Sequence, residues 1–329
     1  MLLWRQAPMA ESREKKVILL VGGSGYLGLH LLEDLASPTC DCTLAYTYNS
    51  HPAPAELVDK LPNVLAFHLD LRSGEGLQEI SKSLGTPDVL INCAAISVPR
   101  ACEQEPEAAK AINVPTVLVQ WLNDLGAAQP PFLIHLSTDQ VYKGDKSFYE
   151  EKDETKPVNT YGETKVMAEK YIQSNYDHYA ILRSSIIYGP QPFIPLPKTL
   201  PLQWIDGVLS SGSGADFFED EYRCPVYVKD VVQAIKLLME KHFCGMRPMY
   251  LLLNIGGPDR LSRAAMAETV AQVRGYDTKL VRRVSSQTAV NRGVVSPPDI
   301  SMDVSKIVAE LNMKMTDFAT GVAMTLSSK

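Results

Sequence analysis

The 329-residue sequence predicts an α/β protein, a doubly wound parallel sheet with a smaller C-terminal lobe. Three observations carry that reading. Short apolar runs alternate with longer amphipathic ones through the first half of the chain, as successive βαβ units with right-handed crossovers require. Two of those runs, Asp88-Val89-Leu90-Ile91-Asn92 and Phe132-Leu133-Ile134-His135-Leu136, are almost unbroken, which suits strands buried on both faces. The first run, Lys16 to Leu20, leads directly into VGGSGYLG, which places Gly22, Gly25 and Gly28 between a strand and a helix.

In chain order the apolar runs predict strands at 16–21, 43–47, 64–68, 88–92, 132–136 and 179–183. Helical spacing predicts helices at 26–36, 76–84, 106–124 and 160–174. After Gly189 the texture changes, because GPQPFIPLPKTLP holds five prolines that rule out a continuous helix and mark an excursion from the sheet. The helical pattern at 228–242 and the apolar stretch 249–257 return to it, and further helical patterns follow at 262–274 and 303–311. The expected organisation is a disordered leader at 1–15, a Rossmann-type sheet domain from 16–189 plus about 226–255, and a lobe from 190–225 plus about 256–329.

Bulk properties narrow the function classes. A formal net charge of −6 without a basic run argues against nucleic acid as a partner. No stretch approaches the ~18 apolar residues that span a bilayer, and the leader has no apolar core for secretion, so a cytoplasmic protein without membrane association is expected. The six cysteines (40, 42, 93, 102, 224 and 244) form no CxxC and no zinc-like spacing with the six histidines, so reduced structural thiols and no metal are expected.

Glycine in a strand-to-helix turn removes the side chain where backbone bends sharply or approaches another group closely. A dinucleotide pyrophosphate at the helix N-terminus is such a group, and a tight turn with incidental glycines is the alternative. Tyr161 and Lys165 in YGETK share one helix face. A phenol with a pKa of about 10 is a poor acid–base at neutral pH unless its anion is stabilised, and a lysine one turn away supplies that; a solvated helix face gives the same spacing. Thr138, in HLSTDQVY at the carboxyl end of a buried strand, stands where open α/β sheets bind ligands, although Ser, Thr and Asp there also serve turns. The small residues of Asn92-Cys93-Ala94-Ala95 let a flat ligand approach the backbone. Asn113 falls inside the helix read at 106–124, where an asparagine ordinarily faces solvent, holds a water or loosens a turn.

In order, spacing and strand context these pieces resemble the extended short-chain dehydrogenase/reductase superfamily. Within it, LSTDQVYKG, VNTYGETKVMAEK, LRSSIIYGP and RCPVYVKDV are similar to the dTDP-4-dehydrorhamnose reductase family, from about residue 16 to about 312. That family also includes a regulatory branch, the methionine adenosyltransferase beta subunit. The resemblance implies that Tyr161 donates a proton to a keto oxygen, Lys165 lowers its pKa and binds the nicotinamide ribose, Thr138 orients the carbonyl, and Asn113 belongs to a proton relay. It implies that Gly22, Ser24, Gly25, Tyr26, Leu27 and Gly28 wrap the pyrophosphate, that Asp70 and Leu71 face the adenine, and that Ala94 and Ala95, with Cys93, pass the cofactor. Thr138, Asp139 and Arg223 are the expected substrate contacts. The family's C-terminal RPxNSxLD reads Ser296-Pro-Pro-Asp-Ile-Ser-Met-Asp303, with serine where the arginine belongs.

An NAD site uses an acidic residue after the second strand to hold the ribose 2′-hydroxyl. The stretch 45–51 has none, and Asn49 and Ser50 can accept a 2′-phosphate, so NADP is favoured over NAD. Arg223, in YRCP, is placed to hold a diphosphate with its fork of donors, or else is a surface arginine paired with Glu219, Asp220 or Glu221. The leading expectation is an NAD(P)H-dependent reductase of a keto group on a 4-keto-6-deoxy sugar nucleotide. The alternatives are a nucleotide-binding regulatory subunit and a reductase of a small non-sugar carbonyl. Ala109, Ile112, Val117, Leu118 and Trp121 give more apolar surface than one sheet face covers, which predicts a homodimer through a four-helix bundle of 106–124 and 160–174, or a surface for a different protein.

Overall fold

A computed structural model of the chain describes residues 15–37, 42–49, 55–197, 199–288 and 293–326. The leader up to residue 14, Cys40 and Ser50 lie outside the described residues. Seven parallel strands form the central sheet. They are β1 (Lys16–Val21), β2 (Cys42–Tyr48), β3 (Leu65–His68), β4 (Val89–Asn92), β5 (Phe132–Thr138), β6 (Tyr179–Ser184) and the returning strand Tyr250–Ile255. Their spatial order is Tyr250–Ile255, β6, β5, β4, β1, β2, β3. The reversal of order beside β1 is the doubly wound arrangement that leaves a crevice at the carboxyl ends of the strands. Every residue of β4, β5 and β6 is buried, which is why their sequence reads as unbroken apolar runs. The pairing carries β5 two residues beyond the expected end, setting Ser137 opposite Arg183 and Thr138 opposite Ser184.

Helices cover both faces. On one, α1 (Tyr26–Leu35) and the helix Val228–Phe243 bury Leu31, Leu32, Ile235 and Leu238 against Leu20, Ile91 and Ile134. Near the edge of the sheet lie α2 (Ala55–Lys60) and α3 (Leu77–Leu84). On the other face the chain forms α4 (Pro99–Gln104), α5 (Pro106–Asn113), α6 (Thr116–Asp124) and α7 (Thr160–Asn175). There Leu118, Leu122 and Ile172 close over Leu19, Leu90 and Leu133.

The continuous helix expected over 106–124 is two helices. Pro115 has no N–H to donate and drives Val114 into an extended conformation (φ −87°, ψ 113°), so α5 stops at Asn113. The apolar residues that suggested a four-helix bundle are also used within the chain. Ala109 and Leu118 are fully buried, Val117 and Trp121 pack on the second core, and Ile112 lines a cleft. The indole N–H of Trp121 is committed to Ser81 Oγ at 2.9 Å. Part of the apolar face behind the homodimer expectation is thus used within the chain, while Ile112, Val117 and Trp121 remain partly exposed.

The lobe has its own core, in which Leu202 and Leu209 of the helix Pro201–Ser210 meet Phe217, Met266, Val270, Val281 and Phe318. Ser305–Leu311, read in the sequence with the lobe, packs instead on the sheet domain, where Ile307 and Leu311 join the main core. No helix of the described residues is long and apolar enough to cross a membrane.

Candidate active site

The glycine turn after β1 is built for close approach. Gly22 has a φ of 78°, and a Cβ on it would lie 2.8 Å from both the N and the Cα of Ala94. A Cβ on Gly28 would meet Gly22 O and Gly23 Cα at 2.6 Å, so α1 can sit directly on the turn. The turn is tied to β2, where Gly22 N donates to Thr47 Oγ1 (3.2 Å) and Gly23 N to Thr47 O (3.1 Å). Gly25 caps α1 with no side-chain bond, which leaves first-turn N–H groups for an anion. Gly22→Ala should cost about 1–3 kcal/mol of stability and remove dinucleotide binding. Chemical denaturation and calorimetric titration check this, and an unchanged midpoint would show that the loop after β4 can move away.

A cleft of about 760 Å³ opens from this turn. Gly22, Ser24 and Gly25 line it, with Asn49 after β2, Asp70 and Leu71 after β3, and Cys93, Ala94 and Ala95 after β4. The side chains of Tyr26 and Leu27 go elsewhere. The Tyr26 hydroxyl donates to Pro190 O at 3.1 Å, and Leu27 and Gly28 are buried, so only their backbone can serve the cleft. Sequence reading missed Thr47, Tyr48, Ile96 and Ile112, and it missed Ile194 to Pro197, which close the cleft from the proline-rich excursion. The glycine cradle, the uncapped helix start and the volume of this apolar cleft together fit a dinucleotide.

Beside the cleft wall stand Tyr161 and Lys165. Asn159 caps α7 by accepting from Gly162 N at 2.9 Å, while its amide donates to Gln140 Oε1 (2.9 Å) and to Val295 O (3.0 Å). This anchors the start of α7 to the turn after β5. Tyr161 is 8% exposed, between Ile96 on the cleft side and the Gln140 turn. Burial drives its phenol far above the ordinary value, opposed by the neighbouring Thr138 side chain. Thr138 is itself held, accepting from Gln140 N and donating to Asp139 Oδ1, each at 3.2 Å.

Lys165 is 2% exposed and donates to Leu136 O at 2.7 Å. Burial lowers it to about 8, and burial pushes Cys93 beside it up to about 12, so that thiol stays protonated. An unfolded lysine titrates near ~10.4, so between about pH 8 and that value the unfolded chain holds more protons and stability rises with pH. Below about pH 8 the folded protein bears the whole cost of a desolvated ammonium. Lys165→Met should therefore be more stable than wild type at neutral pH by about 1–3 kcal/mol, the gap closing as pH rises towards ~10.5. A gap independent of pH in denaturation curves would remove that cause.

Asn113 is the last residue of α5 and is buried. Its oxygen accepts from Ile96 N (2.8 Å), and its amide donates to Ile96 O (3.1 Å) and Thr164 Oγ1 (2.9 Å). With both N–H groups committed, it clamps the cleft wall to the helix carrying Tyr161. Asp139 is buried, and burial raises its carboxyl against the pull of Arg223, Ser185 and Thr138. One turn beyond Lys165, Glu169 pairs with Arg183 at 2.7 Å, both side chains 4% exposed. Ser137 also donates to Glu169, and Arg183 reaches the Tyr142 hydroxyl (2.9 Å), which donates to Asn254 in the returning strand (2.7 Å).

A second cavity of about 470 Å³ lies in the lobe, lined by Tyr188, Trp204, Phe217 and Phe318, by Arg223, Arg263 and Glu221, and by Gln140 and Asn159. Arg223 is no surface residue. It is 2% exposed and donates to Tyr222 O (2.7 Å), Pro298 O (3.4 Å) and Ser296 Oγ (3.2 Å). Among the described residues no group of three or more His, Cys, Asp or Glu could hold a metal ion.

The sheet order, the glycine turn and the placement of Tyr161 and Lys165 beside the cleft are the architecture of NAD(P)-binding doubly wound proteins. Within that class the chain belongs to the family described as RmlD substrate binding domain, which matches residues 15–329 and comprises dTDP-4-dehydrorhamnose reductase-like proteins. The methionine adenosyltransferase 2 subunit beta of Xenopus tropicalis is 34% identical over 242 residues, 73% of this chain and 70% of that one. The dTDP-4-dehydrorhamnose reductase of Escherichia coli is 36% identical over 139 residues, 39% of this chain and 45% of that one. The dTDP-4-dehydrorhamnose reductase of Bacillus anthracis, solved in complex with NADP, superposes with a TM-score of 0.73 at 20% identity, covering 94% of this chain and 97% of that one. At that identity the likeness is one of fold.

Proposed function

We propose that the protein is an NAD(P)H-dependent reductase of a keto group, with a 4-keto-6-deoxy sugar nucleotide as substrate and NADPH as the preferred reductant. One observation supports the reading: Tyr161, one turn from a buried Lys165, packs on Ile96 of the dinucleotide cleft and follows by two residues Asn159, which lines the lobe cavity. The reduced nicotinamide, when bound, supplies hydride to the carbonyl carbon. Tyr161 gives its proton to the carbonyl oxygen as negative charge develops there. Lys165 stabilises the phenolate left behind, which regains its proton from solvent. Thr138 turns its hydroxyl proton from Asp139 to the carbonyl oxygen, Asn113 holds the wall and the helix in register, and Asp139 keeps its bond from Ser185. In the lobe the aromatic side chains give a flat base surfaces to stack on, and Arg223 supplies positive charge for a diphosphate.

Arg223→Gln should raise KM for a nucleotide sugar by about 10- to 100-fold and leave dinucleotide affinity unchanged, the size of a lost charge-assisted hydrogen bond. A KM within twofold of wild type would confine Arg223 to holding Ser296 and Pro298. The reading as a whole is tested by following NADPH oxidation against dTDP- and UDP-linked 4-keto sugars. Tight NADPH binding with no turnover on any of them would overturn it. That outcome would favour a nucleotide-binding regulatory subunit, the reading supported by the beta-subunit relative that spans 73% of this chain.

A further inference from the structure

His135 is a buried titratable side chain that the proposed chemistry leaves unused. It stands on β5 with 0% exposure, between Leu133 and Ser137 on the face that α7 covers. Ile172 of α7 closes over Leu133, and Ser137 donates to Glu169 of α7, so the His135 ring lies under the helix that carries Lys165. In the strand register His135 is opposite Asn92 of β4, and the Asn92 amide nitrogen lies 3.2 Å from the ring Nδ1. The direction of that bond follows from the other end of the amide. Asn92 Oδ1 accepts from Ala94 N at 3.1 Å, so the amide turns its N–H to the ring and Nδ1 accepts. Burial, and then the nearby Lys165 charge, keep the ring neutral, and a neutral imidazole with a bare Nδ1 carries its proton on Nε2. That Nε2 is buried and has no hydrogen-bond partner among the described residues. Lys165 is close by, because its Nζ donates to the carbonyl of Leu136, the residue after His135, at 2.7 Å.

We propose that His135 is a positioning residue for Lys165: its Nε2–H, oriented by Asn92, offers the lysine a donor that an uncharged amine can accept and an ammonium cannot. An N–H beside an ammonium sets two positive ends against each other, whereas the lone pair of the amine gives this buried donor the acceptor it lacks. The flexible four-carbon stem of lysine supplies the movement that brings the two nitrogens together. Around Lys165 burial opposes the ammonium most strongly, while Cys93 after β4, Glu169 of its own helix and Cys102 of α4 favour it. Tyr161 stands one turn before it, and Glu169 is itself paired with Arg183 of β6. His135 adds to the side of the amine and limits how firmly the lysine holds its proton. The consequence for turnover rests on the proposed function, in which Lys165 must be charged to stabilise the Tyr161 phenolate.

Nuclear magnetic resonance of the full chain tests the device without cofactor or substrate. Long-range proton–nitrogen spectra, with His135 assigned by its loss in His135→Gln, should show Nε2 protonated and Nδ1 bare from about pH 6 to about pH 9. A proton on Nδ1 would overturn the proposal, because Nε2 would then accept from the ammonium and favour it. With carbon-labelled lysine, and the signal assigned by its loss in Lys165→Met, wild-type Lys165 should titrate at about 8. The His135 Nε2 signal should move with that titration, and a signal indifferent to it would overturn the proposal even where a variant fails to fold. His135→Leu should hold the Lys165 proton about 3- to 10-fold more tightly, the size of one hydrogen bond. His135→Gln, which keeps a donor near the place of Nε2, should stay within about twofold of wild type. An unchanged or weaker hold in His135→Leu, or a glutamine variant that follows the leucine one, would overturn the proposal. The alkaline limb of NADPH oxidation with a dTDP-linked 4-keto sugar should move with the lysine. A lysine that shifts without the limb refutes its proposed role in reduction and leaves this inference standing; a lysine that does not shift in an active enzyme refutes this inference alone.

Discussion

Tyr161→Phe should lower keto reduction by about 10²- to 10⁴-fold, the usual contribution of a positioned acid, while NADPH affinity stays within about threefold of wild type. The substitution removes one oxygen and nothing else. The ring packs on Cys102, Ala109 and Ile96, all of which phenylalanine can still meet. Thr138 keeps its bonds to Gln140 N and Asp139, so the turn after β5 does not depend on the phenol. Stopped-flow oxidation of bound NADPH and a separate binding titration divide the two effects. Turnover within tenfold of wild type would place the proton on another group, and a collapse of NADPH binding would make Tyr161 part of the dinucleotide cradle.

Arg183→Met should cost about 3–5 kcal/mol of folding stability, as does any change that strips one partner from a buried ion pair. Glu169, 4% exposed, would keep only the Ser137 hydroxyl, and Tyr142 would lose its donor from Arg183. Glu169→Leu added to Arg183→Met should return most of the loss, since two apolar side chains leave no charge to desolvate. Urea denaturation measures both. A double variant as unstable as the single one would show that the wider network through Tyr142 and Asn254, rather than the pair, holds this region together.

What could be read in the sequence follows from how local the determining physics is. The central strands were legible because a strand buried on both faces has no polar face to interrupt its composition. Thr138, Tyr161 and Lys165 were legible because strand end and helix start are set by short-range pattern, and the structure does place them together. Pro115 was in plain view, yet helical spacing on both sides of it read as one helix, and the misplacement of Asn113 followed. The clamp that Asn113 makes on Ile96 needs the chain reversal between β4 and α5, which no spacing encodes. Arg183 and Glu169 meet only because β6 lies beside β5 under α7. The proline-rich excursion was correctly read as non-helical. Its lodging over the cleft depends on Tyr26 and His30 holding Pro190 O, at 3.1 and 3.2 Å, contacts across the whole sheet domain.

The strand Tyr250–Ile255 pairs with β6 alone and is made after the first part of the lobe. During synthesis the chain therefore exposes β6, all six of whose residues end up buried, as an open sheet edge until residue 255 has left the ribosome. An apolar, unpaired edge of that kind invites pairing with other nascent chains. Cutting the gene after Gly189 to isolate the dinucleotide domain should thus yield an insoluble fragment, whereas supplying 226–255 in the same polypeptide through a short linker should recover soluble material. The order in which the ribosome delivers the strands, more than the strength of any contact, decides when this sheet is safe from its neighbours.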